Sequence, residues 1–237
     1  MSMSSKSSAD FLHRGASAAA CGLRNRAAFV LISTMLSVAV HAETLSVLVL
    51  DQNGKPVPDA VVVAVPNSSV HPQLKPKEEI VDQIDKEFVP YVKAILVGST
   101  VRFPNKDNIR HHVYSFSAAK SFELPLYAGT TAAPVLFDKP GVVVLGCNIH
   151  DWMLGYIYVS ESPYFAKTGD DGHATQSDLP REEFLVRVWH PDMTSSEEST
   201  VRKVDGGQAG NPSLEWRLDL KPVIRVRRTS PMGQIHR

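Results

Sequence analysis

The sequence predicts an all-β sandwich, and three observations predict it. Short stretches of β-branched or alternating residues recur along the chain, turn-forming pairs separate them, and no segment keeps a helical period for more than about three turns. The stretches cover 45–50, 61–65, 100–103, 113–116, 135–137, 142–145, 156–159, 184–188 and 214–220. Asn53-Gly54, Pro104-Asn105, Pro140-Gly141, Asp171-Gly172 and Gly206-Gly207 mark turns, because Gly and Asn tolerate left-handed backbone and Pro cannot donate to a ladder. In the last stretch Leu214, Trp216, Leu218 and Leu220 alternate with Glu215, Arg217 and Asp219. One face is therefore expected to meet a core and the other water. Segment 66–77, with Pro66, Pro72, Pro76 and Ser68-Ser69, reads as a linker or long loop. Beyond Lys221 the chain carries Arg225, Arg227, Arg228 and Arg237 and no acidic residue, so 223–237 is expected to be a disordered basic tail.

The first 42 residues differ from the rest. Arg24 and Arg26 precede an apolar run over 27–40, and Val40-His41-Ala42 follows with small residues at the cleavage offsets. That order is a secretory signal. The apolar run is too short to span a membrane, which takes about 20 residues. A cleaved signal over 1–42, export, and no membrane span are expected. Loss of Lys6, Arg14, Arg24, Arg26 and Asp10 from 25 basic and 25 acidic residues leaves 21 and 24, a net of −3. No basic field dominates, so nucleic acid is not an expected partner. Composition is ordinary for a globular chain, at 43% hydrophobic and 21% charged. Cys21 leaves with the signal, so Cys147 has no internal disulfide partner in an oxidising compartment. It must be buried and inert, paired with another chain, or bound to something.

The chemistry concentrates in Val144-Leu145-Gly146-Cys147-Asn148-Ile149-His150-Asp151-Trp152-Met153, a Cys-x2-His-x2-Met pattern directly after an apolar strand. Thiolate, imidazole and thioether are soft or borderline donors that together suit copper; a trigonal site of two His and one Cys takes a weak axial Met. With 9 His and 6 Met in 237 residues, a given Cys meets this spacing by chance about once in a thousand. The second imidazole comes from Val101-Arg102-Phe103-Pro104-Asn105-Lys106-Asp107-Asn108-Ile109-Arg110-His111-His112-Val113, where a strand ends, a polar loop turns and a His pair opens the next strand. Neighbours on a strand point to opposite faces, so one of His111 and His112 can face the metal. His71, His173 and His190 lack ligand spacing and read as surface or capping residues; Trp189 and Trp216 read as core of a sandwich flanking this region. Trp152, between His150 and Met153, suits either shielding of the metal or an exposed docking patch. No phosphate-binding glycine loop, nucleophile elbow or paired catalytic carboxylates occur, and no enzyme activity is expected.

Cys147-x2-His150-x2-Met153, followed by Gly155-Tyr156-Ile157-Tyr158-Val159, resembles the copper loop of the cupredoxins, in spacing the amicyanin type. The segment from Val101 to Val113 resembles the matching plastocyanin-like segment. The resemblance implies a Greek-key β-sandwich over 78–163 with one mononuclear type 1 copper on His111, Cys147, His150 and Met153. By position His111 is the ligand, and His112 replaces the usual Asn that ties the two ligand loops together. It also implies a periplasmic electron carrier, with the His150 edge as electron port, Trp152 and Leu154 as apolar rim, and a redox protein as partner. The whole chain resembles bacterial proteins labelled methylamine utilization or plastocyanin-like.

A second resemblance frames the first. Val49 to Val61, and then Thr168-Gly169-Asp170-Asp171-Gly172 through Phe184-Leu185-Val186-Arg187-Val188-Trp189-His190-Pro191, look like the two halves of a carboxypeptidase-regulatory-like β-sandwich. Its expected extent is 43–70 and 164–222, with the cupredoxin inserted between. Two other functions stand beside electron transfer: a copper carrier without redox turnover, and a non-catalytic interaction module.

Overall fold

The computed structural model describes residues 43–68, 75–129, 133–205 and 213–222. The expected signal over 1–42, residues 69–74 of the expected 66–77 linker with His71 among them, the Gly206-Gly207 turn and the 223–237 tail lie outside the described residues. Every described residue falls in one compact unit, Val40–Arg237. Among the described residues, no helix is long and apolar enough to cross a membrane.

The structure is all-β. Its strands are β1 (Glu43–Asp51), β2 (Val61–Pro66), β3 (Glu78–Ile80), β4 (Asp82–Ile84), β5 (Glu87–Val89), β6 (Val92–Leu96), β7 (Thr100–Arg102), β8 (His111–Phe116) and β9 (Ser121–Tyr127). They continue with β10 (Val135–Leu136), β11 (Gly141–Gly146), β12 (Leu154–Ser160), β13 (Tyr164–Lys167), β14 (His173–Leu179), β15 (Glu183–Trp189), β16 (Arg202–Asp205) and β17 (Ser213–Leu218). The helical content of the described residues is one 3₁₀ turn, Glu197–Thr200. Each expected strand falls on an observed one. β3 to β6, β9, β13, β14 and β16 come in addition; all but β6 are very short, polar or proline-bearing, and β6 is an apolar run the sequence reading passed over.

Two hydrophobic cores form. In the first, the sheet β14-β1-β17 faces the sheet β13-β2-β15-β16 over Val47, Val49, Val62, Ala64, Phe184, Val186, Val188 and Trp216. The second lies between the sheet β6-β12-β11-β8-β9 and the strands β10-β7-β3 and β4-β5, and gathers Phe88, Ile95, Val101, Phe103, Val113, Phe137, Val143, Leu145 and Ile157. The first core thus draws on the chain before 65 and after 163, and the second on 81–159.

A third cluster joins the cores. β2 sends Val62 and Ala64 to one core while Val61 and Val63, on its other face, meet Val92 and Tyr158. Both faces of β2 are buried, which accounts for its unbroken Val-Val-Val-Ala-Val run. Trp189, expected in the core of the flanking sandwich, instead packs in this joint, 5.9 Å from the Tyr156 ring and 5.5 Å from Tyr158. Its position at the end of β15 turns it to the outer face of that strand. Trp216 is core, 1% exposed, with its indole N–H donated to the Thr200 carbonyl at 2.8 Å. His190 is buried, and its Nδ1 caps the turn by accepting the Asp192 N–H at 3.2 Å. His173 is exposed.

Candidate metal centre

Cys147 follows the last residue of β11, and Met153 precedes the first residue of β12. These strands pair antiparallel, with Gly146 opposite Leu154, so residues 147–153 form a loop whose two ends are fixed by the ladder. The Met153 N–H donates to the His150 carbonyl at 2.9 Å and closes the turn. On the next strand, β8 pairs Tyr114 with Gly146. A Cβ on Gly146 would stand 2.7 Å from Tyr114 Cζ, so the ring keeps this seat only beside a glycine and would swing aside for a larger residue.

β8 separates the adjacent histidines by its pleat. His111 points inward, fully buried, with Nδ1 3.9 Å from Cys147 Sγ. His112 pairs through Nε2 with Glu123 Oε1 at 2.8 Å, across on β9. It therefore takes no part in tying the ligand loops together, the role of the Asn it replaces by resemblance. His150 Nδ1 lies 3.8 Å from Cys147 Sγ. The donor atoms of His111, Cys147 and His150 all lie within 4.8 Å of one another. Met153 is buried in the same cluster as Cys147, at 2% against 3% exposure.

These distances test whether a metal fits. Bonds of about 2.3 Å to sulfur and about 2.0 Å to nitrogen, spread about 120° apart, put S and N about 3.7 Å from each other. The observed 3.8 and 3.9 Å match that edge. The donor set, one thiol and two imidazoles beside a thioether, has the composition of a trigonal copper site.

Asp107 and Asn105 organise the loop before His111; both fall on matched positions of the plastocyanin-like segment, but the sequence assigned neither a role. Asp107 Oδ2 lies 2.7 Å from His111 Nε2. A carboxylate only accepts, so Nε2 is the nitrogen that donates to Asp107, and Nδ1 is the one that faces Cys147. Burial pushes the Asp107 carboxyl upward, but the Lys86 N–H, the His111 ring and the Asp85 N–H outweigh it and hold the group below the usual carboxylate range. Asn105 donates to the carbonyls of Ile109 and Tyr127 at 2.8 and 2.9 Å, and its Oδ1 accepts the Asp107 N–H at 2.9 Å. Asn-x-Asp before a strand was the available signal, as an Asx turn.

Burial lowers the affinity of His150 for a proton, and the nearby His111 and Lys86 lower it further, against the opposing pull of Asp107. A neutral imidazole is the ligating form. Tyr127, opposite His111 on β9, donates its hydroxyl to the Phe103 carbonyl and accepts from Gln83 Nε2 at 2.5 Å; burial pushes its pKa up to about 12. Outside the donor cluster, Trp152 stands 5.3 Å from the His150 ring and is 54% exposed, with Ile149 at 46% and Leu154 at 40%.

No family model and no characterised protein matches the sequence. In structure, part of the chain is similar to cupredoxins and to part of a copper-containing enzyme. Among them is a copper-containing nitrite reductase from Thermus scotoductus, at 30% identity over 40% of this chain and 25% of that one, with a TM-score of 0.34. The chain thus spans about a quarter of that reductase. A purple cupredoxin from Nitrosopumilus maritimus is matched at 25% identity over 34% of this chain and 96% of that one, with a TM-score of 0.30. A pseudoazurin from Sinorhizobium follows at 26% identity, 37% and 76% coverage, and 0.30.

Proposed function

We propose that this is an exported, periplasmic type 1 copper protein that carries single electrons by outer-sphere transfer. One mononuclear copper would take His111, Cys147 and His150 as strong ligands and Met153 as a weak axial one. The observation that carries this reading is the convergence of one sulfur and two Nδ1 atoms, with Cys147 and His111 buried and His150 half-buried and each Nδ1 at 3.8–3.9 Å from the sulfur. Copper bound there supplies one-electron redox chemistry. The chain holds the donors in fixed positions, since two strand ladders clamp the 147–153 loop and β8 carries His111. Burial of His111, Cys147 and Met153 keeps water from the donors. Three strong donors and a thioether leave no open position for a substrate, which favours an electron carrier over an enzyme. A redox protein would dock on the apolar rim of Ile149, Trp152 and Leu154, beside the partly exposed His150. We also propose that 78–163 is a cupredoxin inserted into a carboxypeptidase-regulatory-like sandwich of 43–70 and 164–222.

The test is addition of Cu(II) to purified 43–237, followed by visible absorption and electron paramagnetic resonance. An intense blue band with narrow copper hyperfine splitting is expected. His111→Ala should abolish both, while His112→Ala keeps them. A colourless wild-type protein overturns the reading.

A further inference from the structure

Asp107 does more than sit near a ligand. Its carboxylate touches His111 Nε2 at 2.7 Å and also accepts the backbone N–H groups of Asp85 and Lys86, at 2.7 and 2.9 Å. Asp85 and Lys86 form the two-residue connection between β4 and β5, and both hold left-handed backbone, with φ of 53° and 62°. Two consecutive left-handed residues give the hairpin turn that matches strand twist, and this one aims two N–H groups at the same carboxylate. Neither residue is glycine, so the conformation is unfavourable for both unless something compensates. The Asp107 carboxylate does so. Asn105 Oδ1 holds the Asp107 N–H, which fixes the other end of the side chain.

We infer that Asp107 is a positioning residue, a fixed anion clasped between the β4–β5 turn and His111, which sets the tautomer of His111 and weakens the reducibility of a metal bound there. This rests on the copper reading above. An anionic acceptor makes the imidazole a stronger donor than a neutral acceptor would, and a stronger donor favours the more highly charged metal state. The clasp also fixes the ring before any metal arrives, with its Nδ1 lone pair already directed at Cys147. His150 packs against Trp152 instead, so the two imidazoles are held by different means.

Nitrogen-15 NMR of the copper-free protein tests the first half without any variant. His111 should show a protonated Nε2, slow to exchange, and an unprotonated Nδ1. Asp107→Asn keeps the shape and can still accept through its amide oxygen, but removes the charge. It should leave the blue band in place and raise the midpoint potential. Asp107→Ala should lower copper affinity about 10- to 100-fold. A protonated Nδ1 on His111, or an Asp107→Asn potential equal to that of the wild type in a blue protein, overturns the inference and leaves the copper reading intact. A colourless wild-type protein overturns the copper reading itself.

Discussion

At the residue scale, adjacent histidines have separate fates because a strand alternates its side chains. His111 is fully buried beside the thiol, while His112 turns to Glu123. The sequence announced that one of the pair would face the metal, but the choice depends on which face of β8 meets the core. Cys147, His150 and Met153 were legible because one short loop carries all three at fixed spacing. Asp107 was not, since its role needs the β4–β5 turn, which lies some twenty residues away in sequence and touches it only in the fold. Cys147→Ser should remove the blue band, because a hydroxyl does not replace a thiolate as a soft ligand; visible absorption checks this. Trp152→Ala removes an exposed ring beside His150 and should keep the colour while slowing electron exchange with a protein partner, read by stopped-flow. Partner kinetics equal to the wild type would reject a docking role for Trp152.

At the scale of single elements, two glycines flank the 147–153 loop and differ in what surrounds them. A Cβ on Gly146 would meet the outer end of the half-exposed Tyr114 ring, at 2.7 Å. One on Gly155 would meet Phe88 Cβ at 2.8 Å, an atom fixed to the backbone of a residue 2% exposed. Rotation of a side chain relieves the first clash and not the second. Gly155→Ala should therefore cost the full overpacking penalty, about 1–3 kcal/mol, and Gly146→Ala clearly less, with urea denaturation as the measurement. Equal losses would mean that Tyr114 is not free to swing. Legibility followed the same physics. β-branched runs such as those of β2 and β11 stood out, whereas β14 is mostly polar and β9 carries Pro125. Such strands are defined by the partner they pair with more than by their own residues.

At the scale of the whole molecule, five sheets of the described residues surround three apolar clusters, and the third cluster joins the half that carries Cys147 to the other half. Polar groups rim that joint. Arg187 donates to Glu197 Oε1 at 2.6 Å and to Glu161 Oε1 at 2.5 Å, while the Tyr158 hydroxyl donates to Glu197 Oε1 at 2.5 Å. Burial alone would lower the basicity of Arg187, yet Glu161 and Tyr158 raise it further above its ordinary value, so the guanidinium stays charged. Arg187→Met strips Glu197 of its cation and should cost about 1.5–3 kcal/mol, measured by denaturant unfolding. Limited proteolysis tests the proposed insertion. A surviving 78–163 fragment, with the flanks still bound to each other, is the expected product; simultaneous loss of all segments would reject separate domains. The sequence hinted at this division through its two resemblances, but the joint itself, with Trp189 in it, was invisible because its residues are individually ordinary core.

Cys147 is 3% exposed and is the free thiol of the described residues. A shielded sulfhydryl meets an alkylating reagent only when the surrounding layers part. Iodoacetamide uptake by the demetallated chain is therefore a stopwatch for local opening at the loop, readable by mass spectrometry without any engineered label. The same shielding would slow oxidation of the sulfur, and the rate of its loss under peroxide should track the rate of that opening.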